Sequence, residues 1–359
     1  MRRCLWLLLL CAAHCGGAAG AGRPWVMGYF TSYQTQLPLE RVDFAALTHV
    51  AHFALRPNPD GTMRPDARLD GQADALVAAA HAAGVKVLIS VGGANSAADG
   101  FQSAIGSAHR DALVAGIMGA VTAHGYDGVD LDMEPVTAAD EPDYAATAAQ
   151  LRARLDAVRP GMLLTAATAR DLGAFYASIA ASLDQINIMT YDLSGPYPGW
   201  VTWHNSAMYT DGMRFGNGRP MPSCDLYVQA YLAAGVPRAK LGMGVYFHGK
   251  IWHGATGPNQ SIAGVTVTDV TFHELMDSYY TDAEYRWDAG PDAPYLSDTV
   301  RTLFISYDDP RVVAEKMRYI RDQRLGGVII WDLASGYRAS QPGHENPLLD
   351  AIQAAVTGP

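Results

Sequence analysis

Asp127-Gly-Val-Asp130-Leu-Asp132-Met-Glu134-Pro135 puts four acids into eight positions, three of them alternating with apolar residues. Successive side chains of an extended strand point to opposite faces, so Asp130, Asp132 and Glu134 share one face while Leu131 and Met133 share the other. Asp127 falls out of phase with the three and reads as structural support. Carboxyl groups this close cannot all ionise cheaply, and at least one pKa is pushed up, the condition a general acid needs near neutral pH. An acidic surface strand or a loop calcium site would require a polar setting. This row instead follows an amphipathic helical pattern from Asp111 to His124 and is interleaved with hydrophobic residues, so it reads as a semi-buried strand.

Outward from that row, apolar runs of strand length recur with helix-period segments between them, the pattern of repeated βαβ units with a parallel sheet. The runs are Trp25 to Phe30, Leu47 to Leu55, Val85 to Val91, Gly128 to Glu134, Met162 to Thr168, Gln185 to Tyr191, Lys240 to Phe247 and Gly327 to Trp331. Asp70 to Ala83 predicts a helix with an acidic N-cap and a stop at Gly84. Asp309-Pro310 opens another that runs to Arg324. Eight such units predict an α/β fold of the (β/α)₈ TIM barrel type, whose active sites lie at the carboxyl ends of the strands.

Two connections are longer than a barrel needs. Leu193 to Ser223 carries Tyr197, Trp200, Trp203, Tyr209 and Phe215, and Gly249 to Ser306 (249–306) could hold a small inserted subdomain between the seventh and eighth strands. Long loops dense in aromatic residues are seldom disordered, and flat rings on a cleft rim suit the stacking of pyranose rings, while about half of these residues are expected to pack under the loops instead.

The chain has 359 residues, 49% of them hydrophobic, enough for one large domain. Its start, a basic Met-Arg-Arg, a short apolar run and small residues from Gly16 to Gly22, predicts a secretory signal peptide over 1–21 and a secreted, extracellular catalytic barrel over 22–359. The apolar run is too short to span a bilayer. Ala-Ala-His14-Cys15 offers lipid anchoring at Cys15 as an alternative. Without the leader, 24 basic side chains face 36 acidic ones, a net charge of −12, which disfavours nucleic acid and anionic polymers while allowing a neutral one. Three of the four cysteines lie in the leader, so the mature chain keeps Cys224 alone and relies on core burial.

With the acidic strand in fourth place, the chain resembles the chitinases of glycoside hydrolase family 18 over essentially its whole mature length. The motifs that carry the resemblance are Ser90-Val-Gly92-Gly93 ending the third strand, Asp127 to Glu134 in the fourth, Met189-Thr-Tyr191-Asp192 ending the sixth and Trp331 ending the eighth. The resemblance implies a retaining, substrate-assisted hydrolysis of β-1,4 links between N-acetylglucosamine units. In it Glu134 is general acid and base, Asp132 orients the substrate's acetamide, Asp130 hydrogen-bonds Asp132, and Tyr191 donates to the acetamide oxygen. It further implies substrate contacts from Tyr29, Ser90, Gly92, Met189, Asp192, Tyr246 and Trp331, with Trp331 as the apolar floor. The bottom-up chemistry agrees: a sugar whose own acetamide attacks needs one strong acid and neighbours that hold an amide, all on one side.

The sequence departs from the family pattern at Ala94, where many members carry a cleft-lining aromatic residue, and at Tyr246 and His248, which replace a more usual proline and tyrosine. His248 could touch sugar hydroxyls or serve as a hydrogen-bonded structural residue. The eleven histidines show no zinc-site spacing and no dinucleotide fingerprint follows the first strand, so no metal or cofactor is expected. The expected partner is chitin or an N-acetylglucosamine oligosaccharide, bound by a monomer. An endo-β-N-acetylglucosaminidase acting on N-glycans or peptidoglycan, and a chitin-binding lectin without activity, are the competing readings.

Overall fold

The computed structural model describes residues 23–358. The expected signal peptide and the alternative lipid site at Cys15 lie outside the described residues. Eight parallel strands close into a barrel: β1 (Trp25–Thr31), β2 (His49–Leu55), β3 (Lys86–Gly93), β4 (Gly128–Met133), β5 (Leu163–Thr168), β6 (Gln185–Ile188) and β7 (Leu241–Tyr246), with the C-terminal strand Gly327–Trp331 sealing β7 to β1. This is the (β/α)₈ barrel that the alternation predicts. β6 ends three residues short of its apolar run, because Met189 to Asp192 leave the sheet and Asp192 takes a φ of 53°.

The helices bury the stripes their period predicts. The helix Ala67–Ala82 packs Leu69, Ala73, Leu76, Val77 and Ala80 against the barrel. Its cap is Asp66, which accepts the Arg68 and Leu69 N–H groups, so the helix begins one turn before the predicted Asp70, which sits in the first turn instead. The helix Arg110–His124 stops at Gly125, whose φ of 73° suits a residue without a Cβ. Asp309 caps Pro310–Asp322 by accepting the Val312 N–H at 2.8 Å.

The long connection after β7 folds on itself. β8 (His248–His253), β9 (Thr266–Thr271), β10 (Tyr285–Asp288), β11 (Ala293–Asp298) and β12 (Leu303–Tyr307) form an antiparallel sheet in the order β10-β11-β12-β8-β9. Trp252, Ala255, Val265 and Phe304 give it a small apolar cluster of its own.

The connection after β6 holds to this sheet through Thr202, whose hydroxyl donates to Gly257 O at 2.7 Å. None of its aromatic residues lines the cleft, although Tyr197 and Tyr209 remain exposed. Trp203 is 1% exposed, donates to Pro222 O at 2.9 Å and forms a cluster with Ala207 and Met221, while Trp200 lies between Tyr197 and Phe215. The reason is the loop's own need for a core: 31 residues without helix or strand must bury something to be ordered. Cys224 is fully buried.

Candidate active site

At the carboxyl ends of the strands opens a cleft of about 340 Å³. Of the residues the sequence points to, Asp132, Glu134, Met189, Tyr191, Asp192 and Trp331 line it. Tyr33, Phe53, Arg56, Ala94, Ala169 and Arg170 complete the wall.

β4 presents the acids as its two-residue period requires, with Leu131 and Met133 buried in the core on the opposite face. Asp130 is wholly buried and accepts three hydroxyls: Tyr29 at 2.8 Å, Ser90 at 3.2 Å and Thr165 at 2.6 Å. Burial pushes its carboxyl up, opposed by those hydrogen bonds. Asp132, 3% exposed, differs: no N–H or O–H group of the described residues donates to its buried Oδ1. Burial first, then the charges of Glu134 and Asp130, drive its pKa well above the usual carboxylate range. Both Asp130 oxygens already receive hydroxyls, so a bond between the two aspartates would need a proton carried by one of them.

Glu134 stands just past the strand end. Its N–H donates to Ser96 Oγ at 3.0 Å, and that hydroxyl donates to Asp132 O at 3.3 Å, which ties the loop after β3 to the acid. Burial, and secondarily the charge of Asp192, raise the Glu134 carboxyl to about 7, with Arg56 opposing. A half-buried acid that holds its proton to neutrality while facing a cleft has the property a proton donor needs. Tyr191 keeps its proton as well, because burial and the surrounding carboxylates raise its pKa far above its ordinary value.

Asp192 behaves in the opposite way. Burial alone would raise it, but interactions with His248 and Lys250 outweigh that and hold it ionised. Lys250 Nζ lies 2.9 Å from Asp192 Oδ1, a hydrogen bond, whereas His248 Nε2 at 3.7 Å is an electrostatic neighbour only. The same ammonium reaches Asp269 at 2.7 Å. Asp192, His248 and Asp269 approach within 4.8 Å of one another, and Lys250 supplies the positive charge two of them face. His248 also borders a polar recess of about 310 Å³ that shares Tyr33, Asp192 and Trp331 with the cleft.

Four predicted substrate contacts do not line the cleft. Tyr29 and Ser90, at 1% and 0% exposure, spend their hydroxyls on Asp130. Tyr246, fully buried, lies behind Tyr191 and donates to Ser306 O at 3.3 Å. Gly92 provides room: at its φ of 117°, a Cβ would stand 2.1 Å from the Asp132 carbonyl oxygen. Strand periodicity places these residues inside the barrel but does not give their depth below the mouth: Tyr29 and Ser90 hold Asp130, Gly92 makes room beside Asp132, and Tyr246 backs Tyr191. Asp127 serves structure, accepting the Val87 N–H at 2.8 Å and pairing with Arg159 at 2.5 Å and His81 at 2.7 Å.

Sequence reading missed Tyr33, Phe53, Arg56 and Arg170. The signal available was position: Arg56 follows β2 and Arg170 follows β5 at the end where a barrel keeps its site. Phe53 meets Trp331 edge-on with centroids 4.8 Å apart, and Tyr29 does so at 5.4 Å, which holds the indole in place at the cleft.

A parallel barrel with a row of acids at the mouth of its fourth strand is the frame of a glycosidase. The chain belongs to glycosyl hydrolases family 18, whose model matches residues 25–336. It is 30% identical over 285 residues to chitinase A1 of Niallia circulans, covering 70% of this chain and 40% of that protein, and 29% identical over 278 residues to chitinase B of Serratia marcescens, covering 60% and 56%. The chain thus spans about half the length of the curated relatives it matches. The group IV chitinase of Ostrinia furnacalis shares the fold with a TM-score of 0.80 at 22% identity, covering 93% of this chain and 99% of that one. Among the described residues no helix is long and apolar enough to cross a membrane.

Proposed function

We propose that the protein is a chitinase that cleaves β-1,4 bonds between N-acetylglucosamine units with retention at the anomeric carbon, the sugar's own acetamide acting as nucleophile. The observation that carries this reading is a single cleft holding a Glu134 carboxyl raised to about 7 beside an Asp132 whose Oδ1 lacks a donor. Glu134 gives its proton to the glycosidic oxygen as the C1–O bond breaks. The acetamide oxygen closes on C1, forming an oxazolinium ion that Asp132 stabilises through the amide N–H. Tyr191, protonated, donates to the acetamide oxygen and aims it. Water then adds to C1 as its proton passes to Glu134 and the bond from C1 to the acetamide oxygen breaks. No second carboxylate is needed across the ring.

Met189 and Asp192 wall the site and Trp331 stacks beneath the sugar. Asp130 orients Asp132 and shares a proton with it. The relatives named chitinases support the substrate, and the signal-peptide pattern of residues 1–21 supports action outside the cell.

The test is the product profile on chitohexaose with the anomer of each product resolved. Release of shorter oligosaccharides initially in the β configuration is expected, and Glu134→Gln is expected to abolish it while retaining binding. Initial α products would refute the acetamide route. Cleavage of a high-mannose glycoprotein without cleavage of chitohexaose would move the substrate to N-glycans, and binding without hydrolysis would make the protein a lectin.

A further inference from the structure

The wall of the cleft beside Glu134 is unlike the rest. Where the family resemblance leads one to expect an aromatic residue, Ala94 leaves it low, and the side chain standing over it is Arg56. Its Nη2 lies 3.3 Å from the position a Cβ on Gly93 would take, and its Nη1 is 3.5 Å from Ala94 O, at the limit of a hydrogen bond. The nearest carboxylate to pair with it is Asp99 at 3.8 Å, a contact shared with Arg64 at 4.0 Å. Such long, exposed pairs satisfy little of a five-donor fork. The Arg56 side chain is 35% exposed and lines the cleft with Tyr33, Asp132 and Glu134.

We propose that Arg56 is a substrate-binding residue and sets this cleft's specificity: its planar fork takes the place of the aromatic wall absent at Ala94 and donates to hydroxyl or acetamide oxygens of a sugar next to the one being cleaved. A ring at this position would offer a flat apolar face without directional donors. A guanidinium offers a flat face together with directional donors, and so fixes the register of the neighbouring sugar. The charged groups facing it are Asp99 and Arg64 on one side and Asp132 and Glu134 on the other. Arg56 opposes the rise of both catalytic acids, so its removal has a consequence for proton transfer that a packing residue would not have.

The inference rests on the chitinase reading, and the test separates the two. Chitotetraose binding is measured by calorimetry on Glu134→Gln and on the same variant carrying Arg56→Ala, and steady-state hydrolysis is followed for Arg56→Ala and Arg56→Lys. Loss of one charged donor fork is expected to weaken binding about tenfold, with about threefold for lysine, and to raise KM while kcat changes little. The basic limb of the kcat/KM profile should move to higher pH in Arg56→Ala. Equal chitotetraose affinity with and without Arg56, or an unmoved basic limb, would overturn the proposal and leave the chitinase reading standing. No binding of chitotetraose by Glu134→Gln would overturn both.

Discussion

Replacing Glu134 by Gln is expected to make the folded protein more stable in mildly alkaline solution while removing its turnover. The carboxyl has an ordinary value of 4.5 and is raised to about 7, mostly by burial. Below the lower value both the folded and unfolded chains carry the proton and the site costs nothing. Between the two values the unfolded chain releases its proton while the folded chain retains it, so stability falls as pH rises through this window and levels off above the folded value. At 1.36 kcal/mol per pH unit the full effect is about 3 kcal/mol, a ceiling that solvent in the open cleft reduces to about 1–2 kcal/mol. Gln has nearly the same shape and cannot ionise. Urea unfolding of wild type and Glu134→Gln at about pH 5 and about pH 8 should therefore show a stability difference that grows by about 1–2 kcal/mol in favour of the variant. Turnover should drop by a factor of about 10² to 10⁴ or more, since general acid catalysis contributes that much. A stability difference constant across pH would place Glu134 in the ordinary carboxylate range and remove the electrostatic basis for its role.

Asp192→Asn removes the charge that is the second cause of the rise at Glu134, so the basic limb of the kcat/KM profile should move to lower pH, by up to about one pH unit. This is opposite in sign to the shift expected for Arg56→Ala, and an unmoved limb would assign the elevated value to burial alone. Lys316→Met removes a fully buried ammonium that contacts Asp308 at 2.5 Å and Ser206 Oγ at 2.6 Å. It leaves behind an Asp308 whose pKa burial already raises to about 6. The expected loss is about 3–5 kcal/mol by urea unfolding, most of it recovered when Asp308→Asn is added. A single variant as stable as wild type would show that water reaches this pair.

Reading of the barrel from sequence succeeded where the pattern is local. A run such as Val26 to Phe30 can only be buried on both faces, and helices such as Ala67–Ala82 carry their apolar stripe at a fixed period. Boundaries failed where a longer-range contact intervenes. β6 stops at Ile188 because Ser206, from the following loop, donates to Thr190 O at 2.6 Å and holds that residue away from the ladder. The loop aromatics failed for a related reason: whether Trp203 faces a cleft or a core depends on Pro222 and Met221, which no period in the sequence connects to it.

What the amino-acid order determined alone was the alternation of strand and helix and the phase of Asp130, Asp132 and Glu134, because both follow from backbone periodicities that act over a few residues. Tertiary structure decided which groups surround those acids. Tyr29 and Asp130 are 101 residues apart in the chain and 2.8 Å apart in space. Lys250 reaches Asp192, and Arg56 faces Glu134, only after the barrel has closed. The proton affinity of a carboxyl is set by burial and by charges within a few ångströms, and those distances exist only in the folded chain.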